Sequence, residues 1–179
     1  LLKMSDEEWD LVIAVHLRGT WACSRAAAKV MTGGGRIINT TSAAGLKGNF
    51  GQSNYSAAKA GIYGLTVTNA LELRKPGITV NAVAPMAKTR MTEELDMISA
   101  EMRPEDVSPV VLWLASDLAK DVTGRIFGVH GPHIFEYRMD VTDGVKKESE
   151  WKPSEIPARL EEIAGTAPKA AAAAAAPAG

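Results

Sequence analysis

Short β-branched runs alternate with segments of helical periodicity along this chain of 179 residues. Arg36–Thr40, Ile78–Val83 and Arg125–Val129 read as strands, each bounded by turn residues. The segments between them carry apolar residues at helical spacing. Such alternation implies βαβ units and hence parallel strands. The expected fold class is α/β, a partial Rossmann-like doubly wound parallel sheet made of three strands with flanking helices. A parallel sheet needs cover on both faces and is usually larger. The expectation is therefore the C-terminal portion of such a fold, with its N-terminal half absent.

The first helix opens on a capping box, Ser5-Asp6-Glu7-Glu8, and its pattern continues to about Met31 with Gly19 as a candidate bend. Gly33-Gly34-Gly35 ends it. Thr41 to Asn54 is polar and glycine-rich, and reads as a loop. A second helix runs from about Tyr55 to Arg74 and ends at Lys75-Pro76-Gly77. Pro85 is expected to stop the second strand, and Met86 to Met102 to be irregular or weakly helical. A third helix opens at Pro104 and reaches about Ala115, with Pro109 awkwardly inside it. Beyond His130 the pattern weakens, leaving one amphipathic helix over Pro153–Ala164. Seven alanines from Ala170 to Ala176 are too few to hold a helix. The expected division is 1–140 for the sheet domain, 141–165 for an extension with one helix, and 166–179 for a disordered tail.

Charge narrows the function classes. Lys plus Arg is 20 and Asp plus Glu is 21, a net charge of −1, so nothing marks a nucleic-acid surface. No run of 18 apolar residues suggests a membrane span. Cys23 is the single cysteine, expected to pack within its helix, and a lone thiol points to a reducing, cytoplasmic setting. A small-molecule substrate remains.

Tyr55 and Lys59 stand four apart, on one face of a helix. A free phenol has a pKa of about 10, and a nearby cation favours its ionised form. The pair thus suits proton transfer in a carbonyl–alcohol interconversion. Taken alone, such a pair is more often two residues on a solvated face. Ser42 lies thirteen residues earlier, just past the first strand. Ligands of parallel α/β sheets sit beyond the strands' carboxyl ends. Ser42 reads either as a substrate-orienting hydroxyl or as a turn or cap residue.

Asn39-Thr40-Thr41-Ser42, then Tyr55-x-x-x-Lys59, then Ile78-Thr79-Val80-Asn81-Ala82-Val83-Ala84-Pro85 resemble the short-chain dehydrogenase/reductase family. The likeness spans about Ser5 to Asp140. Val15–Gly19, Gly48–Gln52, Arg90-Met91-Thr92, Val110–Leu114 and Gly124–Arg138 are similar to one branch of it. That branch holds the (3R)-hydroxyacyl-CoA dehydrogenase domains of multifunctional enzymes type 2 and their bacterial relatives.

The resemblance implies that Tyr55 is the acid/base, that Lys59 tunes it and bonds the nicotinamide ribose, and that Ser42 orients the substrate oxygen. It implies that Pro85 and Thr89 border the nicotinamide of NAD or NADP. His16 stands where many members carry Asn in a proton relay, and imidazole both donates and accepts. A structural histidine bonded to backbone is an equal reading of it. Met86 departs from the family's usual Gly or Asn.

The family's phosphate-binding glycine turn does not occur in these residues, so the chain alone is expected to be inactive, with an unpaired edge on the Arg36–Thr40 strand. Homo-oligomers are expected through the first two helices, where Ala57, Gly61, Gly64 and Thr68 form a small-residue stripe. Gly45-x-x-Gly48-x-x-Gly51 reads as a surface loop, since it lacks the G-x-G-x-x-G spacing. His130-Gly131-Pro132-His133 supplies too few ligands for a catalytic metal, so none is expected. The alternatives to a dehydrogenase are a non-catalytic relative serving assembly or regulation, and an epimerase using the same pair.

Overall fold

The computed structural model describes residues 1–90, 92 and 99–166. Met91, the 93–98 stretch and nearly all of the alanine-rich tail lie outside the described residues. The chain divides into two compact units, Leu1–Arg138 and Met139–Gly179.

In the first unit, α1 (Asp6–Val12), a π-helical segment (Ile13–Arg18) and α2 (Gly19–Val30) follow one another without interruption. The Ser5 capping box forms as expected: Glu8 N donates to Ser5 Oγ at 3.2 Å and Ser5 N donates to Glu8 Oε2 at 2.9 Å. Gly19 keeps right-handed helical angles, φ −60° and ψ −48°, and the irregularity is the wider turn before it. Cys23 is exposed rather than packed.

Four strands form one sheet in the order β1 (Gly35–Thr40), β2 (Ile78–Met86), β3 (Ile126–His130), β4 (His133–Tyr137). The first three are parallel, Ile37 pairing Val80 and Val83 pairing Phe127. β4 was not expected. It returns antiparallel through a two-residue turn, with Gly128 opposite Phe135, so the sheet is mixed. Its signal, His133-Ile134-Phe135-Glu136-Tyr137, alternates with period two, but aromatic and charged residues mask the apolar face. β1 stands at the other edge, paired among the described residues to β2.

Helices cover both faces. Val83 and Val129 pack with Val110 and Leu114 of α5 (Ser108–Ala115) on one side. Ile37, Ile78 and Val80 pack with Ala70, Leu73, Ala28 and Met31 on the other, under α2 and α4 (Ser53–Glu72). Leu114 and Val80 are fully buried, each removal from water worth about 1.5–3 kcal/mol.

Three further expectations need correction. Pro85 does not end β2; it pairs Val129 inside the strand. Thr41 N donates to Val83 O at 2.8 Å, and Pro85, two residues on, faces the same side, where β1 has already ended. A missing N–H there costs no ladder bond. Pro104 opens a 3-10 turn, Pro104–Val107, and Pro109 falls in the first turn of α5, where no intrahelical donor is needed. The Thr41–Asn54 loop contains a helical turn, α3 (Ala43–Lys47).

In the second unit the expected single helix over Pro153–Ala164 is broken into 3-10 turns at Pro153–Glu155 and Pro157–Arg159 and a short α6 (Leu160–Ile163). Pro157 interrupts the helical hydrogen-bond ladder. Lys147 ties this unit, donating to both Glu155 carboxylate oxygens at 2.7–2.8 Å.

Candidate active site

Tyr55 and Lys59 occupy the first two turns of α4, whose start is fastened to α1. Asn54 Oδ1 accepts from Tyr55 N at 2.7 Å, and Asn54 Nδ2 donates to Glu8 O at 3.1 Å. Helical spacing brings the two side chains to one place: Lys59 Nζ lies 5.5 Å from the Tyr55 ring centroid. Lys59 is 6% exposed, which excludes the solvated-face reading. Its ammonium donates to Thr40 O at 2.9 Å, at the carboxyl end of β1. Its own carbonyl accepts from Thr41 Oγ1 at 2.7 Å. These two bonds clamp the strand end to the helix. Burial pushes the Lys59 pKa below the ordinary lysine value. Among the described residues Thr40 O is its one hydrogen-bond partner, so two of three ammonium donors remain for a ligand.

His16 comes to the same cluster from the π-helical segment. Its ring stands edge-on to Tyr55, with centroids 5.4 Å apart and planes at 89°. Thr20 Oγ1 donates to His16 O at 2.7 Å within the widened turn. Burial first, then the Lys59 charge, lowers the His16 pKa from 6.5. The imidazole is therefore neutral at pH 7 and able both to donate and to accept. Such π-helical turns occur often at functional sites; no residue pattern in Ile13–Arg18 announced this one.

Ser42 caps α3, its Oγ accepting from Ala44 N at 3.2 Å. The cap reading is thus correct, and it leaves the hydroxyl proton free to be donated outward. α3 lies hard against α4 at Gly45, where a Cβ would stand 2.5 Å from Ala60 N and from the Lys59 carbonyl carbon. The glycines expected to form a plain surface loop thus include one at which α3, capped by Ser42, packs directly on α4. Pro85 and Thr89 are placed by topology. β1 ends at Thr40, opposite Val83, and β2 runs on to Met86, so Ser42, Pro85 and Thr89 lie at or past the carboxyl ends of adjacent parallel strands. Thr89 N donates to Thr92 Oγ1 at 2.8 Å, and Thr92 Oγ1 donates to Ala87 O at 2.7 Å, so the segment after β2 is a hydroxyl-tied turn.

Sequence reasoning missed the buried support under this cluster. Asn39 Nδ2 donates to Thr66 Oγ1 at 2.9 Å, and Ser24 Oγ donates to Asn39 Oδ1 at 3.5 Å. An amide inside a β-branched strand is the signal that marked it. A cleft of about 430 Å³ runs beside β1, lined by His16, Cys23, Arg36, Asn39, Thr40 and Lys59 among others. Among the described residues no group of three or more His, Cys, Asp or Glu side chains is placed to hold a metal ion. No helix among them is long and apolar enough to cross a membrane.

Residues 1–131 match the family described as enoyl-(acyl carrier protein) reductase. The chain is 40% identical to a hydroxyacyl-CoA dehydrogenase of Mycobacterium tuberculosis, over 94% of this chain and 60% of that one. It is 46% identical to peroxisomal multifunctional enzyme type 2 of Mus musculus, over 79% of this chain and 20% of that one. A crystal structure of a short chain dehydrogenase from Mycobacterium avium superposes with a TM-score of 0.81 at 45% identity, covering 95% of this chain and 61% of that one. The chain spans about three fifths or less of the length of each of these proteins.

Proposed function

Since this chain belongs to the short-chain dehydrogenase/reductase family, we propose that it carries the catalytic part of an NAD- or NADP-dependent oxidoreductase interconverting a secondary alcohol and a ketone. The substrate class is a 3-hydroxyacyl or 3-oxoacyl thioester. That class rests on relatives named for hydroxyacyl-CoA and for multifunctional enzyme activity. The single observation that carries the mechanism is the Tyr55 ring beside both a buried ammonium and an imidazole, at 5.5 Å and 5.4 Å.

The donor set fits one end of the cofactor. Lys59 has two unused ammonium donors for ribose hydroxyls, and Pro85 with the Thr89 turn would flank the nicotinamide. The bound nicotinamide supplies the hydride donor or acceptor. The chain's own residues handle the proton and the substrate oxygen. Ser42 donates its hydroxyl proton to that oxygen while its own oxygen stays on the Ala44 N–H. In reduction, Tyr55 gives its phenolic proton to the same oxygen; in oxidation it removes the proton. The Lys59 ammonium, 5.5 Å from the ring centroid, positions the ring and holds the ribose beside it. Neutral His16, against the phenol ring, passes the proton between Tyr55 and solvent.

Tyr55→Phe in the full-length protein tests the reading. The ring and its packing survive while the transferable proton is lost. The expected result is a fall of about 10²–10⁴ in kcat, with cofactor affinity retained. Near-normal kcat removes Tyr55 from the mechanism and leaves the non-catalytic relative standing.

A further inference from the structure

We propose that His130 and His133, at the tip of the β3–β4 hairpin, form a two-histidine chelate for a borderline divalent cation: copper(II), nickel(II) or zinc(II). His130 is the register partner of Met86, next to Pro85 at the carboxyl end of β2, and metal binding at the pair does not depend on the proposed reaction. His130 and His133 are cross-strand partners on either side of the Gly131-Pro132 turn. Gly131 takes φ +54°, and the turn closes the hairpin in a single register. His133 Nδ1 and His130 Nε2 are 3.1 Å apart. The rings stand at 86°, with centroids 4.8 Å apart.

Those two distances carry the argument. Two imidazoles meeting head-on through one hydrogen bond at 3.1 Å would hold their centroids about 5.4 Å apart, taking about 1.15 Å from centroid to nitrogen. At 4.8 Å the rings depart from that collinear arrangement, so the nitrogen axes are inclined to one another. With metal–nitrogen bonds of about 2.05 Å, an N–metal–N angle of about 97° places the nitrogens ~3.1 Å and the centroids ~4.8 Å apart. Both spacings are thus met by one angle, between square-planar or octahedral and tetrahedral values.

The support behind the pair is stiff. Phe135 packs against both imidazoles, 5.4 Å from the His130 ring and 4.9 Å from the His133 ring. Phe135 in turn lies over Gly128, where any Cβ would meet its ring. Chelation requires that both facing nitrogens be bare. The proton now between them moves to the outer nitrogen of the same ring, His130 Nδ1 or His133 Nε2. No proton leaves the pair in that step, and binding needs no co-reactant. His133 is exposed, so water fills the remaining coordination positions. Neutral imidazole suits these three cations, while magnesium and calcium prefer oxygen.

Calorimetric titration of untagged full-length protein with copper(II), nickel(II), zinc(II) and magnesium(II) chlorides tests this site. Wild type is compared with His133→Asn, in a Cys23→Ser background that removes the exposed thiol. The expected result is one ion per chain, copper binding tightest, no magnesium binding, and at least a tenfold loss of affinity in His133→Asn. Imidazole nitrogen NMR on the unmutated pair gives an answer that does not rely on the variant. With zinc, the His130 Nε2 and His133 Nδ1 signals shift and those of His16 stay fixed. Equal affinity in wild type and His133→Asn, or zinc leaving both signals unmoved, overturns the proposal.

Discussion

Gly45→Ala is expected to uncouple Ser42, the proposed substrate-orienting hydroxyl, from α4. A Cβ at Gly45 would sit 2.5 Å from Ala60 N and the Lys59 carbonyl carbon, and 2.7 Å from Lys59 Cβ. Ordinary contact begins near 3.4 Å, and two of these three atoms belong to the α4 backbone, which cannot give way. α3 must back off by about 1 Å, a clash of the size that costs about 1–3 kcal/mol in well-packed cores. For a chain this long that corresponds to a Tm lower by about 2–12 °C. Ser42 caps α3 and travels with it. A misplacement of about 1 Å at a reacting group can cost 10²-fold in rate. The assay is steady-state oxidation of a 3-hydroxyacyl thioester by full-length protein, alongside thermal unfolding. Gly33→Ala, where a Cβ meets nothing within 4 Å, controls for the loss of a glycine. Wild-type kcat and Tm in Gly45→Ala would refute the claim that this contact sets the position of Ser42.

Three further outcomes are expected. His16 has a folded pKa depressed below 6.5, so the unfolded chain takes up this proton more readily than the native one. Its contribution to stability is intact above pH 6.5 and is lost as pH falls from there toward the folded value; His16→Asn should flatten that part of a denaturant-midpoint profile. Lys59→Met should weaken NAD(H) or NADP(H) binding, read by fluorescence titration, and lower kcat, read by initial rates. Unchanged affinity and kcat would make Lys59 a packing residue. Thr66→Val leaves the buried Asn39 amide without its acceptor and should destabilise by about 1–3 kcal/mol in urea unfolding.

The small-residue stripe on α4 shows how one pattern divides once the chain folds. Gly61 is filled by the chain's own Leu17, 2.7 Å from where its Cβ would stand, while Gly64 faces open space. Close packing at Gly61 is therefore intramolecular. Leu71 and Trp21 remain exposed.

The parallel βαβ order, the capped first helix and the Tyr55–Lys59 face are written in local residue patterns. Each depends on spacing along the chain: β-branched runs favour strands, a Ser-x-x-Glu box starts a helix, and positions four apart share a helix face. The same locality explains the errors. Pro85 and Pro109 looked disruptive because a proline's cost depends on whether its missing N–H had a partner, which is decided by where β1 ends and where α5 begins. β4 was hidden because its apolar face is built from aromatic side chains, of which Phe135 packs on Gly128 across the sheet. The clamp of Thr40 and Thr41 on Lys59, the approach of His16 to Tyr55, and the meeting of His130 with His133 join separate elements or opposite strands. Hydrogen-bond partners at such separations, and the desolvation that shifts Lys59 and His16, exist only after the sheet and helices have packed. The sequence determined which groups were available for the chemistry; the tertiary structure decided which of them meet, because contact, burial and charge are set by distance in space.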